Sequence, residues 1–275
     1  MEELLRRLGL DLELPAMLRL FVLVMARMAG AALPLPFFGG QLVPARIRFG
    51  IPLFLALFLY PFVTAGIAYA DVPPLGLYYV GLIAKELFTG FCMGFLASVP
   101  FHAVTIGGAF IDTQRGTTFA SVIAPMTGGS TSLLGSMLNL YFIVLFLALG
   151  GAHMVVEAVG LSYRVVPLLG FPELLDPGRS GYVELLLRHT NDMFRIGVQL
   201  AGPVVVALFL IDMTLGIVNR AAPNIQVFFL GMGLKAVGGL IVLFVTLGLF
   251  TEQIVQLGAG VGRLMEQAAA LFAQG

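Results

Sequence analysis

Residues 100–129 read PFHAVTIGGAFIDTQRGTTFASVIAPMTGG and stand between two long apolar runs, 78–99 and 133–149. The stretch carries Asp112, Gln114 and Arg115, the hydroxyls of Thr113, Thr117 and Thr118, and five glycines, with Phe110, Ile111 and Phe119 interleaved. Bare backbone and charge in hydrocarbon cost several kcal/mol per unsatisfied group, so such a stretch cannot face lipid. It is expected to line a cavity or to lie buried in protein. Gly107, Gly108 and Gly116 give a backbone able to bend, while Phe110, Ile111 and Phe119 supply bulk that could fill a narrow channel. Asp112 and Arg115 stand three apart, which pairs them if this piece is helical; alternatively they pair with neighbouring chains, or only anchor a re-entrant turn.

The rest of the composition agrees with a membrane setting. Of 275 residues 59% are hydrophobic and 11% are charged, against about 25% charged in ordinary soluble domains. A formal net charge of zero leaves no broad basic face, so nucleic acid is set aside as a partner. The lone Cys92 sits in an apolar run and reads as a small buried hydrophobe, and His102, His153 and His189 show no ligand spacing. No metal, cofactor or catalytic residue is expected: there is no GxSxG, no HExxH and no paired GxGD-type aspartates, and Ser121, Ser130 and Ser132 near His102 form no recognisable constellation.

Outward from the central stretch, the expected fold is all-α, with about six or seven long apolar helices, several broken by Pro or Gly. Residues 1–15 read as a short interfacial helix rather than a cleavable signal peptide. An apolar helix follows at 16–33, holding Arg19 and Arg27; Arg27 is expected to face a partner helix or to snorkel to an interface. The connection PLPFFGGQLVPARIRFG has a basic edge at Arg46 and Arg48, and further helices are expected at 51–70 and 77–99. The latter holds Lys85, Glu86 and the pair Gly90 and Gly94, whose spacing permits close helix packing. After the central stretch come a helix at 131–151, an interfacial helix and a solvated loop. A helix from about 182, apolar over 196–218 and containing Asp212, then meets a last one at 227–250 through the turn NRAAPN. Asp212 is expected to pair with Arg220, Lys235 or a basic residue of another subunit, with proton transfer as the functional alternative.

Several pieces, in order, resemble the SctT/FliR family of type III secretion export-gate subunits: LPLPFFGGQLVPARIRFG, the LYP ending at Pro61, AKELFTGFCMGF, FIDTQRGTTFASVIAPMTGG, SYRVVP and LGIVNRAAPNIQVFFLGMGLK. IDTQRG and SYRVVP are similar to the injectisome branch and GGAHM to the flagellar one; the injectisome branch is favoured. In NIQVFF the asparagine and glutamine are exchanged relative to the usual order.

The resemblance implies an SctR/FliP-like part at 1–181 and an SctS/FliQ-like hairpin at 182–275. It further implies one copy of the chain in a helical cone with five SctR/FliP and four SctS/FliQ subunits, beside SctU/FlhB homologues, in the bacterial inner membrane. That cone would pass unfolded polypeptides, with 100–129 as its plug and membrane lipid around it. The alternative reading is a secondary transporter with a mid-membrane polar site, which an internal repeat would support; none is evident between the halves.

Overall fold

The computed structural model describes residues 14–39, 44–116, 132–171, 181–224 and 226–273. The expected helix at 1–15 falls almost wholly outside them, and Phe119 does so entirely. The described residues form α1 (Leu14–Ala32), α2 (Pro36–Gly39), α3 (Ala45–Val63), α4 (Leu77–Arg115), α5 (Leu133–Ala148), α6 (Gly151–Val165), α7 (Gly181–Ala221) and α8 (Val227–Ala273), with one 3-10 turn at Tyr69–Asp71 and no strand among them. Five of these, α1, α3, α4, α7 and α8, are long and apolar enough to cross a membrane, and α5 with α6 makes a sixth candidate.

Two compact units are formed, one from Met1–Ser98, His153–Val183 and Arg263–Gly275, the other from Val99–Ala152 and Glu184–Gly262. Their boundaries differ from the expected division at 181/182.

In the first unit α1 lies directly on α4. A Cβ on Gly90 would overlap the Arg27 carbonyl, one on Gly94 the Ala31 carbonyl, and one on Gly30 the Leu87 carbonyl. Three small residues thus let two backbones touch, as in tightly packed membrane helices. α3 adds an edge-to-face contact of Tyr60 with Phe21, ring centres 6.0 Å apart. It begins after Pro44, whose fixed φ of −55° suits a helix start. Arg46 and Arg48 therefore fall in its first turn rather than in the connection. It stops at Val63, where Thr64 Oγ1 donates to the Tyr60 carbonyl at 2.8 Å, well before the expected end at residue 70.

The second unit corrects a larger expectation. The helix expected to stop at Val99 runs on through Pro100 to Arg115. Proline removes one backbone donor, the partner of the Leu96 carbonyl, and packing on both sides outweighs the loss. Phe101 packs in a buried cluster with Phe142 and Phe146, ring centres 4.5 and 5.1 Å away, the second edge-to-face. A Cβ on Gly107 would stand 2.9 Å from the Gly197 carbonyl oxygen, and one on Gly108 would overlap the backbone of Gly135. These two glycines are contact points between helices. Outward, α3, α7 and α8 present Phe54, Phe58, Phe62, Ile217, Phe244 and Val245, surfaces that lipid or other chains must cover.

Candidate functional site

The far end of α4 is a polar node. Asp112 is 2% exposed, and its Oδ2 accepts from Ser132 Oγ at 2.7 Å and from the Leu134 amide at 2.8 Å. Ser132 is itself the N-cap of α5, its Oγ accepting from the Gly135 amide at 2.8 Å. A helix start has unpaired amides and a positive dipole end, so a second carboxylate acceptor there is stabilising.

Arg115 lies across α8, Nη2 donating to the Ala236 carbonyl at 2.7 Å. Its stem fits because residue 239 is glycine: a Cβ there would stand 2.9 Å from Arg115 Cγ and Cδ. Asp112 and Arg115 also face each other at 3.5 Å, an ion pair at the long limit. α4 then ends on Gly116, whose φ of +78° is the left-handed closure glycine gives to a helix. The chain leaves the node at Gly116 and re-enters it at Ser132, and Asp112 fastens the two ends together. Of the neighbouring candidates, Ile111 is buried and Phe110 is 46% exposed.

The hairpin of α7 and α8 supplies the second cluster. Lys235 Nζ lies 3.0 Å from Asp212 Oδ1, and Gln114 Nε2 donates to Asp212 Oδ2 at 3.3 Å. Asp212 and Lys235 stand equally far along the chain from the middle of the turn, so two antiparallel helices rising 1.5 Å per residue bring them level. Arg220 is exposed near the turn and makes no ion pair among the described residues. Arg115, Asp212, Asn219, Gln226 and Lys235 line a cleft of about 580 Å³ between the end of α4 and the hairpin.

The third cluster lies in the first unit and is the most deeply buried. Arg27 and Glu86, both 0% exposed, pair through two bonds, Nε to Oε2 at 2.6 Å and Nη2 to Oε1 at 2.9 Å. Arg27 Nη2 also donates to the Val166 carbonyl at 2.8 Å and Nη1 to Ser162 Oγ at 3.1 Å. Its guanidinium sits 4.0 Å from the Tyr163 ring centre. Lys85 Nζ reaches Glu86 Oε1 at 2.6 Å, then closes the chain after α6 by donating to the carbonyls of Pro167, Leu168 and Gly170 at 2.7, 3.1 and 2.9 Å.

Residues 18–259 match the family model described as bacterial export proteins, family 1. The chain belongs to that family. The chain is 33% identical to the flagellar biosynthetic protein FliR of Bacillus subtilis, over 82% of this chain and 85% of that one. It is 31% identical to the Yop proteins translocation protein T of Yersinia pestis, over 78% and 81%. The secretion system apparatus protein SsaT of Salmonella typhimurium is 28% identical over 61% and 63%. The first two identities are too close to choose between the flagellar and injectisome branches.

All three clusters of this family 1 protein fall inside the matched interval. Sequence reasoning found the first two in part and missed the third. The sequence leaves Arg27 either against a partner helix or snorkelling to an interface and puts Lys85 and Glu86 on the next long helix but one, with nothing to join them. The one usable signal was SYRVVP, whose Ser162, Tyr163 and Val166 all turn out to face Arg27.

Proposed function

We propose that this chain is a core subunit of a type III secretion export gate in the bacterial inner membrane. Homologues of SctR/FliP and SctS/FliQ would complete the channel entrance, SctU/FlhB homologues would sit beside it, and unfolded polypeptides would pass through. Family membership supports the export reading, and its relatives are named for biosynthesis, translocation and secretion apparatus rather than for a catalysed reaction. It also weighs against the secondary transporter. Residues 1–181 and 182–275 are taken as the SctR/FliP-like part and the SctS/FliQ-like hairpin.

Within the gate, residues 100–129 are proposed as the closure of the pore. The observation that carries this reading is the node around Asp112, which ties the end of α4, before Gly116, to Ser132 at the start of α5. It divides the stretch into an anchored helical part, up to Gly116, and the remainder, which belongs to the interval 117–131 between the two anchored ends. Blocking is assigned to that interval, with its Phe119, and to the outward Phe110. Gly107, Gly108, Ile111, Asp112, Gln114 and Arg115 hold the anchor.

Deleting residues 118–127 leaves the anchor residues in place. The assembled complex, reconstituted in a planar bilayer, should then conduct ions more strongly than the unmodified one. An unchanged conductance in a normally assembled complex would refute the closure.

A further inference from the structure

We propose that the start of α3 is a binding site for one anionic phospholipid. Ile47, Gly50, Ile51, Phe54 and Leu55 recur at helical spacing and, with Phe38 of α2, line an apolar groove of about 260 Å³. Arg46 and Arg48 flank Ile47 by one residue each, about 100° to either side of it on the helix; they stand outside the groove's apolar lining, at the end of it where the helix begins. Arg46 is exposed; Arg48 is half-buried and has contacts of its own within the chain. Pro44, at the N-cap, has no side-chain acceptor to offer this helix end, and its positive dipole end favours an anion.

The floor of the groove is open, since a Cβ on Gly50 would meet nothing within 4 Å. Only Pro52 and Ala56 of α3 are buried, so the helix offers its length to acyl chains. A phosphate beside two arginines and a fatty chain beside Phe38 and Phe54 is the chemistry of a phospholipid with net negative charge. Free phosphate would satisfy the arginines but has no use for the groove. The site is independent of the pore reading above.

The test is native mass spectrometry of the delipidated full-length chain, titrated separately with phosphatidylglycerol, phosphatidylcholine and inorganic phosphate. One phosphatidylglycerol should be retained in preference to phosphatidylcholine. The preference should weaken about fivefold for each arginine lost in Arg46→Gln and Arg48→Gln. Gly50→Phe fills the groove and leaves both charges, and should also reduce phosphatidylglycerol retention. Equal retention of the two lipids by the unmodified chain would overturn the proposal without any variant. Full displacement by inorganic phosphate, with Gly50→Phe binding like the unmodified chain, would overturn it in favour of a simple phosphate site.

Discussion

Glu86→Gln is expected to lower the chain's thermal unfolding midpoint in mild detergent further than any other single charge change, and to deplete folded material from the membrane fraction. Glu86 is fully buried and is the carboxylate that Arg27 and Lys85 share, at 2.6 and 2.9 Å to the first and 2.6 Å to the second. The amide would leave two cations in the interior without a counter-charge, facing carbonyls, Ser162 and the Tyr163 ring. Breaking a buried pair from one side costs about 3–5 kcal/mol, a large part of the roughly 5–15 kcal/mol that holds a typical fold together.

The size of that loss does not mean that the charges are a net gain. Replacing the whole group with apolar residues of similar volume is often neutral or better. Arg27→Met with Lys85→Met and Glu86→Leu removes the stranded cations but also the donors to the Val166, Pro167, Leu168 and Gly170 carbonyls, so it should recover only part of what Glu86→Gln loses. If Glu86→Gln melts within a degree or so of the unmodified chain, the cluster is not what fastens α1, α4 and α6 together.

The second large effect is expected at Asp112, and it should appear in both stability and channel behaviour. Asp112→Ala removes the acceptor of two bonds at the start of α5 and leaves Arg115 with the Ala236 carbonyl as its bonded partner among the described residues. Loss of a cap costs about 1 kcal/mol, and stranding a buried cation adds to it. The two ends of the interval 117–131 are no longer tied, so complexes that do assemble should leak ions. Asp112→Asn keeps an acceptor for Ser132 and Leu134 and loses only the charge, so it should be milder on both counts. Equal effects of the two variants, or a tight channel with Asp112→Ala, would show that the node does not hold the closure.

The helical, membrane-type architecture was readable because long apolar runs leave few other solutions for the backbone. The Asp212–Lys235 pairing follows from hairpin symmetry once the turn is placed, and the Asp112–Arg115 spacing is legible as soon as the segment is helical. That it is helical was not legible: Pro100, Gly107 and Gly108 read as interruptions, and only contact with Gly135 and Gly197, each from another helix, makes the glycines useful inside one. Ser132 as partner of Asp112 was hidden by the interval between them. The Arg27 cluster was hidden more deeply, because it joins residues 59, 135 and 139 positions apart, and neither periodicity nor local spacing reports such separations.

The most direct measurement is the mass and composition of the particle that accompanies the tagged chain out of the membrane in mild detergent. A subunit of an export gate should emerge as one copy in a large hetero-oligomer with SctR/FliP-type and SctS/FliQ-type chains. Recovery of the folded chain alone, or as a small homo-oligomer, from cells that make those partners would contradict the account.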